Sequence, residues 1–273
     1  MHFRFSDTKY KIAVIIICLS LFSCRETFDY SPYAIHFGEE DKNIHAKNLI
    51  RLGATKTNDT ITIAFTGDTH RFYDDLDDFT KSVNADSSID FVIHVGDIAD
   101  FGLPKQYEWG HSLLRKLHAP YFVVIGNHDL VGNGLRAYEE MFGQLNFSFI
   151  FDSTKFIFIN TNSREFEFNG KVPDINWLDN ELKPQSGFKT AIIVFHVPPY
   201  DNDFDSSLAR PFYGCLSHYS HVMFSVHGHL HHHEVVFPDT ASPPLINVYG
   251  VEHRKYNVIK IFNNDYRLET RRF

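Results

Sequence analysis

Cysteine is scarce, with three among 273 residues, at positions 18, 24 and 215. That excludes a disulfide framework and argues against a thiolate-based structural zinc site. Long apolar runs are missing too: Ile12 to Phe22 falls short of the roughly 20 residues a membrane-spanning helix needs. Basic residues are outnumbered, 26 Lys and Arg against 34 Asp and Glu, for a formal charge of −8. Without residues 1–23 the counts are 23 and 33, near −10. Such a surface offers no general attraction to nucleic acid or anionic lipid, so a phosphate-bearing substrate needs a local concentration of positive charge. There are no internal repeats or low-complexity tracts. What is present, 43% hydrophobic, 15% aromatic and 22% charged residues, excludes disorder and coiled coil and suits one full-sized domain. The oddity is histidine, with 17 copies.

Arg4, Lys9 and Lys11 precede the apolar run, as in a secretory signal. The run ends in Leu21-Phe22-Ser23-Cys24, which resembles a bacterial lipobox, although Phe22 is bulkier than usual. The expectation is an exported lipoprotein of the cell envelope, periplasmic or surface-facing, anchored to a membrane through acyl chains on Cys24 without a span. An ordinary signal peptide with an incidental cysteine is the alternative. Residues 1–23 are then the signal, 24–58 a tether and peripheral segment, and 59–273 the folded domain. Cys215 reads as a buried, inert thiol.

Within 24–58, Tyr33–Phe37 looks strand-like and Leu49–Leu52 reads as a peripheral strand. Ile61–Phe65, Phe91–Val95, Tyr121–Ile125, Thr190–Phe195 and Val222–Val226 read as buried strands. Helices are expected over Asp75–Asn84, Lys105–Leu117, Arg136–Phe142 and Ile175–Leu182. Asn146–Phe151 and Lys155–Asn160 suggest a hairpin, and Val235–Phe237, Leu245–Tyr249, Asn257–Phe262 and Tyr266–Glu269 a strand-rich tail. Strands alternating with helices indicate a layered α/β fold.

Each buried strand runs directly into a polar cluster: Gly67-Asp68-Thr69-His70, Gly96-Asp97-Ile98-Ala99-Asp100, Gly126-Asn127-His128-Asp129, His196-Val197-Pro198-Pro199, and His227-Gly228-His229-Leu230-His231. Ligands of open α/β sheets bind beyond the carboxyl ends of the strands, so five such clusters converge on one crevice. Carboxylate, imidazole and amide without thiolate suit Zn, Mn or Fe. Seven candidate ligands are too many for one ion but enough for two that share a carboxylate. Buried, unpaired Asp and His at strand ends are too costly for a purely structural role.

The five ordered clusters resemble the calcineurin-like metallophosphoesterase superfamily, over roughly Ile61 to His231. The resemblance implies a four-layer α-β-β-α sandwich holding a dinuclear centre of divalent or trivalent ions (Mn, Fe or Zn). It places Asp68, His70 and His231 on one metal, Asn127, His196 and His229 on the other, and Asp97 between them. Two divalent ions and two carboxylates leave the site near +2, the local positive charge the surface lacks. It further implies a phosphoesterase in which a bridging hydroxide attacks phosphorus. His128, paired with Asp100, binds a non-bridging oxygen and protonates the leaving group. Asp129 supports its loop.

Other histidines divide by position. His94 reads as a satisfied core residue, and His227 as positioning or structural. His232 and His233 are solvated or compete for metal with His231, which the Gly-His-x-His spacing favours. His218 and His221 are surface residues near a helix end. The acidic run Asp74–Asp78 offsets a helix dipole and is not a third metal site. Purple acid phosphatases carry a metal-binding tyrosine where Asp100 stands, and Ser/Thr protein phosphatases an arginine where Phe101 stands, so neither activity is expected. The chain more nearly resembles exported phosphohydrolases of the phosphodiesterase type acting on a small phosphoester. Phe72, Tyr73, Tyr107, Trp109, Phe166, Phe168 and Tyr200 are candidates to line its pocket, although most aromatics are core. The alternatives are a phosphomonoesterase of the same fold and a metal-storage lipoprotein without turnover. The net charge makes long polynucleotides poor partners, and no protein partner can be inferred.

Overall fold

The computed structural model describes residues 31–54, 60–238, 240 and 242–273. The apolar run, Cys18 and the lipobox with Cys24 lie outside the described residues. The chain divides into two compact units, Met1–Ala34 and Ile35–Phe273. In the first, Ser31–Ala34 form a turn closed by the Ala34 amide donating to the Ser31 carbonyl (2.9 Å). No helix among the described residues is long and apolar enough to cross a membrane.

The second unit runs α1 (Ile44–Gly53), β1 (Thr60–Thr66), α2 (Tyr73–Asn84), β2 (Phe91–His94), α3 (Pro104–Leu114), β3 (Tyr121–Val123), α4 (Gly134–Met141), β4 (Phe147–Phe151) and β5 (Thr154–Phe158). It continues with α5 (Ile175–Leu182), β6 (Thr190–Val194), α6 (Ser206–His218), β7 (Val222–His227), β8 (Glu234–Val236), β9 (Leu245–Asn247), β10 (Lys255–Phe262) and β11 (Asp265–Arg272). One sheet has the order β11-β10-β1-β2-β3 and the other β4-β5-β6-β7-β9-β8.

Strand alternation explains the layering. Ile61, Ile63 and Phe65 of β1, Phe91 and Ile93 of β2, and Ile192 and Val194 of β6 face an apolar layer between the sheets. Ala64 and Val92 face the other way, onto a core shared with Leu76 and Phe79 of α2 and Tyr138 of α4. On the far side, Ala191 and Ile193 pack against Leu178 of α5 and Phe212 and Leu216 of α6. The result is the expected α-β-β-α sandwich. Much of the aromatic content fills its centre, where Phe91 meets Phe122, Phe151 and Phe156 edge-on at 5.1–5.9 Å between ring centroids.

β1, β2 and β3 are parallel neighbours, and so are β6 and β7. Their carboxyl ends therefore open on the same side within each sheet, which carries the five polar clusters to one edge of the sandwich.

Two strand expectations fail near the amino end. Residues 33–37 form no strand; Phe37 is instead a single buried anchor. Leu49–Leu52 belongs to α1, whose buried residues Ile44, His45, Asn48 and Leu52 recur at helical spacing while Ile50 is exposed. The period is hard to read because two of the buried positions are polar. They are polar because α1 seals the β3 edge: the Asn48 amide donates to the Tyr121 carbonyl (2.7 Å), and His45 Nε2 accepts from the Val123 amide (3.1 Å). Cys215 of α6 is buried as expected, and burial pushes its thiol up to about 11.

Burial also holds His45 down at about 3, so its ring is a neutral acceptor at neutral pH. The unfolded chain titrates this ring near 6.5 and binds the extra proton between those values, so stability falls as pH drops from 6.5 toward 3. The full loss is on the order of 4–5 kcal/mol. His45→Asn retains an acceptor that does not titrate. It is expected to flatten the acid limb of the urea-unfolding stability profile; an unaltered limb would assign the acid sensitivity elsewhere.

Candidate metal centre

The loops after β1 and β2 are stitched together before any side chain is considered. The Asp68 amide donates to the Gly96 carbonyl (2.9 Å) and the His70 amide to the Asp97 carbonyl (3.0 Å). Five prospective ligands, Asp68, His70, Asp97, His229 and His231, have left-handed backbone, with φ between 46° and 75°. Such conformations are costly away from glycine and gather at functional sites. Two glycines make the room. A Cβ on Gly126 would come within 2.1 Å of Asp97 Oδ1, and one on Gly96, itself at φ +104°, within 2.4 Å of His196 Nδ1.

The seven residues converge. Asp97 Oδ2 stands 3.6 Å from His70 Nε2 and 3.1 Å from His196 Nε2. Asp68, His70 and His231 direct one ligand atom each into a common space, with His231 Nε2 3.7 Å from Asp68 Oδ1. Opposite them, Asn127 Oδ1 lies 3.0 Å from His196 Nε2 and 3.1 Å from His229 Nδ1. His196 Nδ1 donates to the Val95 carbonyl (2.7 Å), leaving Nε2 turned inward.

The electrostatics suit a cation. Burial raises Asp68 to about 6 against the pull of the His196 charge, and its Oδ2 has no hydrogen-bond partner among the described residues. Burial would raise Asp97 as well, but His196 overrides it and holds the carboxyl well below its usual range. Burial opposes a charged His196, yet Asp97 pushes that ring up to about 10: positive charge is favoured between these carboxylates. His70 is held at about 4 by burial, a neutral ring able to donate a lone pair. Oxygen and imidazole nitrogen are the donors that Zn, Mn and Fe accept.

His128 stands at the rim. Its amide donates to Asp97 Oδ1 (2.9 Å), and its ring meets that of His70 at 4.5 Å. The expected pairing with Asp100 takes a different form. His128 Nδ1 lies 2.9 Å from the Asp100 carbonyl and 3.5 Å from its carboxylate. That carboxylate is shared with His70 Nδ1 (3.4 Å) and Arg71 (3.7 Å). Asp129 supports its loop by accepting from the amides of Asp97, Ala99 and Gly126, and burial raises it to about 7.

The remaining histidines have other partners. His94 Nε2 meets Thr69 Oγ1 (2.8 Å) in the core. His227 stacks on Phe195 and reaches Tyr200 Oη (3.3 Å). His232 faces Glu234, and His233 Nδ1 contacts the Asn247 carbonyl (2.7 Å), which leaves His231 to the centre. His218 is exposed and His221 half-buried beyond α6. Among the aromatics proposed for the pocket, Tyr107 is fully buried and its hydroxyl donates to the Asp129 carbonyl, so it supports the site from beneath; Trp109, Phe168 and Tyr200 are exposed.

Four flanking residues carried no sequence signal. Asp201 and Asp203 face His229 Nε2 at 3.4 and 4.0 Å, Arg164 is ion-paired with Asp203, and Glu252 Oε1 lies 2.7 Å from His231 Nδ1. They lie outside the five clusters, and only the folded chain brings them to the site.

Known proteins of this architecture include a dimetal phosphatase from Danio rerio (TM-score 0.64, 13% identity, 78% of this chain and 96% of that one). A purple acid phosphatase from yellow lupin aligns with TM-score 0.64 and 13% identity over 80% of this chain and 52% of that one. These likenesses establish the fold. By sequence, the chain is 24% identical over 156 residues to a 3',5'-cyclic-nucleotide phosphodiesterase of Nostoc sp., covering 52% of this chain and 56% of that one. It is 27% identical over 115 residues to an Arcobacter nitrofigilis protein named as a probable glycerophosphodiester phosphodiesterase, covering 40% and 42%. The chain thus spans about half the length of these relatives. Residues 61–233, which begin in β1 and run through all five loops of the candidate site, match the metal-dependent calcineurin-like phosphoesterase family, and the chain belongs to that family.

Proposed function

We propose that the chain is a dinuclear metal-dependent phosphodiesterase. The carrying observation is the position of Asp97 Oδ2, one buried carboxylate oxygen facing His70 on one side and His196 on the other. Asp68, His70 and His231 would hold one ion, Asn127, His196 and His229 the second, and Asp97 both. Ions bound there would supply Lewis-acid charge and would acidify the attacking water. The protein's own part is positional. The backbone bond from His128 to Asp97 Oδ1 fixes the loop, and the Asp100 carbonyl accepts a hydrogen bond from Nδ1–H. In its doubly protonated form His128 would give the Nε2 proton to the leaving oxygen and be left as the neutral ring with its proton on Nδ1.

The diester preference rests on the names of the sequence relatives. A monoester preference has one observation in its favour, the exposed Arg71 beside Asp100, a cation suited to the extra charge of a monoester dianion. The test is hydrolysis of bis(p-nitrophenyl) phosphate against p-nitrophenyl phosphate by the manganese- or zinc-loaded chain. A kcat/KM about tenfold or more higher for the diester is expected, roughly 1.4 kcal/mol of discrimination. Higher monoester activity reverses the substrate class. Two bound ions with neither substrate cleaved would leave metal storage as the reading.

A further inference from the structure

We infer that Glu252, which lies beyond the matched residues 61–233, is a positioning residue that gives the Asp68–His70–His231 half of the centre its affinity for metal. The inference rests on the dinuclear reading above. His231 is among the more exposed of the prospective ligands, with 38% of its side chain accessible, and sits on a loop at φ +61°. Its ring stacks on that of His70 at 5.2 Å between centroids, a contact that limits its tilt but does not fix which nitrogen carries the proton. Glu252 Oε1 supplies that second constraint at 2.7 Å from Nδ1. An imidazole that donates Nδ1–H to a carboxylate has its tautomer fixed, its orientation set and its other nitrogen made more basic. Here that other nitrogen, Nε2, looks toward Asp68 Oδ1.

The backbone is arranged for this contact. Glu252 occupies a single 3-10 turn, Val251–His253, just before β10. The Gly250 amide donates to the His231 carbonyl (2.7 Å), and the Val251 amide to the Gly67 carbonyl (3.1 Å). The turn is thus bonded to the loop carrying His231 and to the residue before Asp68. Gly250 provides the space, since a Cβ there would fall 2.4 Å from Glu252 Oε2. That second oxygen is buried with no hydrogen-bond partner among the described residues, a cost that a merely solubilising glutamate would not carry. His253 is no rival, its Nε2 being 3.9 Å from Oε1.

The test is cobalt(II) titration of the full chain, followed by d–d absorption, for wild type, Glu252→Gln and Glu252→Ala. Two binding events are expected in wild type, and the event that Asp68→Asn weakens marks this half of the centre. Glu252→Ala should weaken that same event by about 10–100-fold and leave the other within about twofold. Glu252→Gln, which keeps an oxygen for Nδ1–H, should lose less. Circular dichroism and the thermal midpoint of Glu252→Gln show whether the fold is intact. Unchanged affinity at both sites, or equal weakening of both with a lowered midpoint, overturns the proposal. A wild-type chain that takes up no cobalt refutes the dinuclear reading itself.

Discussion

Asp97→Asn is expected to lower kcat/KM by about 10³-fold or more while the chain still folds. The size follows from what a carboxylate shared by two ions, as proposed for Asp97, would do. Lewis-acid stabilisation of a phosphoryl transition state is worth several kcal/mol, and about 4 kcal/mol corresponds to a thousandfold. The substitution changes one atom and one charge. An asparagine oxygen can still accept from the His128 amide, and the main-chain bond from residue 97 to Asp129 does not involve the side chain. The other oxygen becomes an NH2 aimed at His70 Nε2 and His196 Nε2, a donor where electron pairs should converge on a cation. Steady-state hydrolysis of the preferred nitrophenyl ester, with metal content on the same sample, checks this. Near wild-type rates would show that no carboxylate is shared, and would end the dinuclear assignment.

The convergence of the candidate residues was largely legible because its signals are local. A glycine and a ligand directly after an apolar run can be read from adjacent residues, and parallel strands do the gathering. Asp68, Asp97, Asn127, His196 and the histidine pair 229/231 each follow such a strand end. The layered fold was legible for the same reason, since β1, β2 and β6 alternate cleanly between the two cores. What escaped depends on contacts between distant segments. Glu252 lies 21 residues beyond His231, and the bridge between Gly67 and Gly250 brings its turn to the site. Helix α1 hid its period because it pairs with a strand edge and so buries His45 and Asn48 in place of apolar residues. The left-handed backbone at five of the candidate residues was not read from the sequence: all five are Asp or His, types that adopt it more often than most, but residue type alone does not say which copies will.

The contact between His128 and Asp100 is the most instructive difference, because it alters what a mutation should do. Sequence reasoning pairs the histidine with the aspartate side chain; the structure gives the shorter contact to the Asp100 main-chain carbonyl. That acceptor survives any substitution at position 100. Asp100→Asn is therefore expected to cost less than His128→Ala, and its effect should extend to His70 and Arg71, which share the carboxylate. His128→Ala should lose about 10²–10⁴ in kcat, the range for a positioned general acid, while keeping both ions, since none of the seven converging ligand atoms comes from residue 128. The loss should also depend on the leaving group. A p-nitrophenolate departs with little help, so its ester should lose the least, and an alkyl ester with a poor alkoxide leaving group the most. A merely structural histidine would slow both esters equally. Parallel kcat measurements on the two esters, with metal content determined for each variant, separate these cases. An equal loss on both would remove His128 as the proton donor and leave it only the task of holding its loop against Asp97.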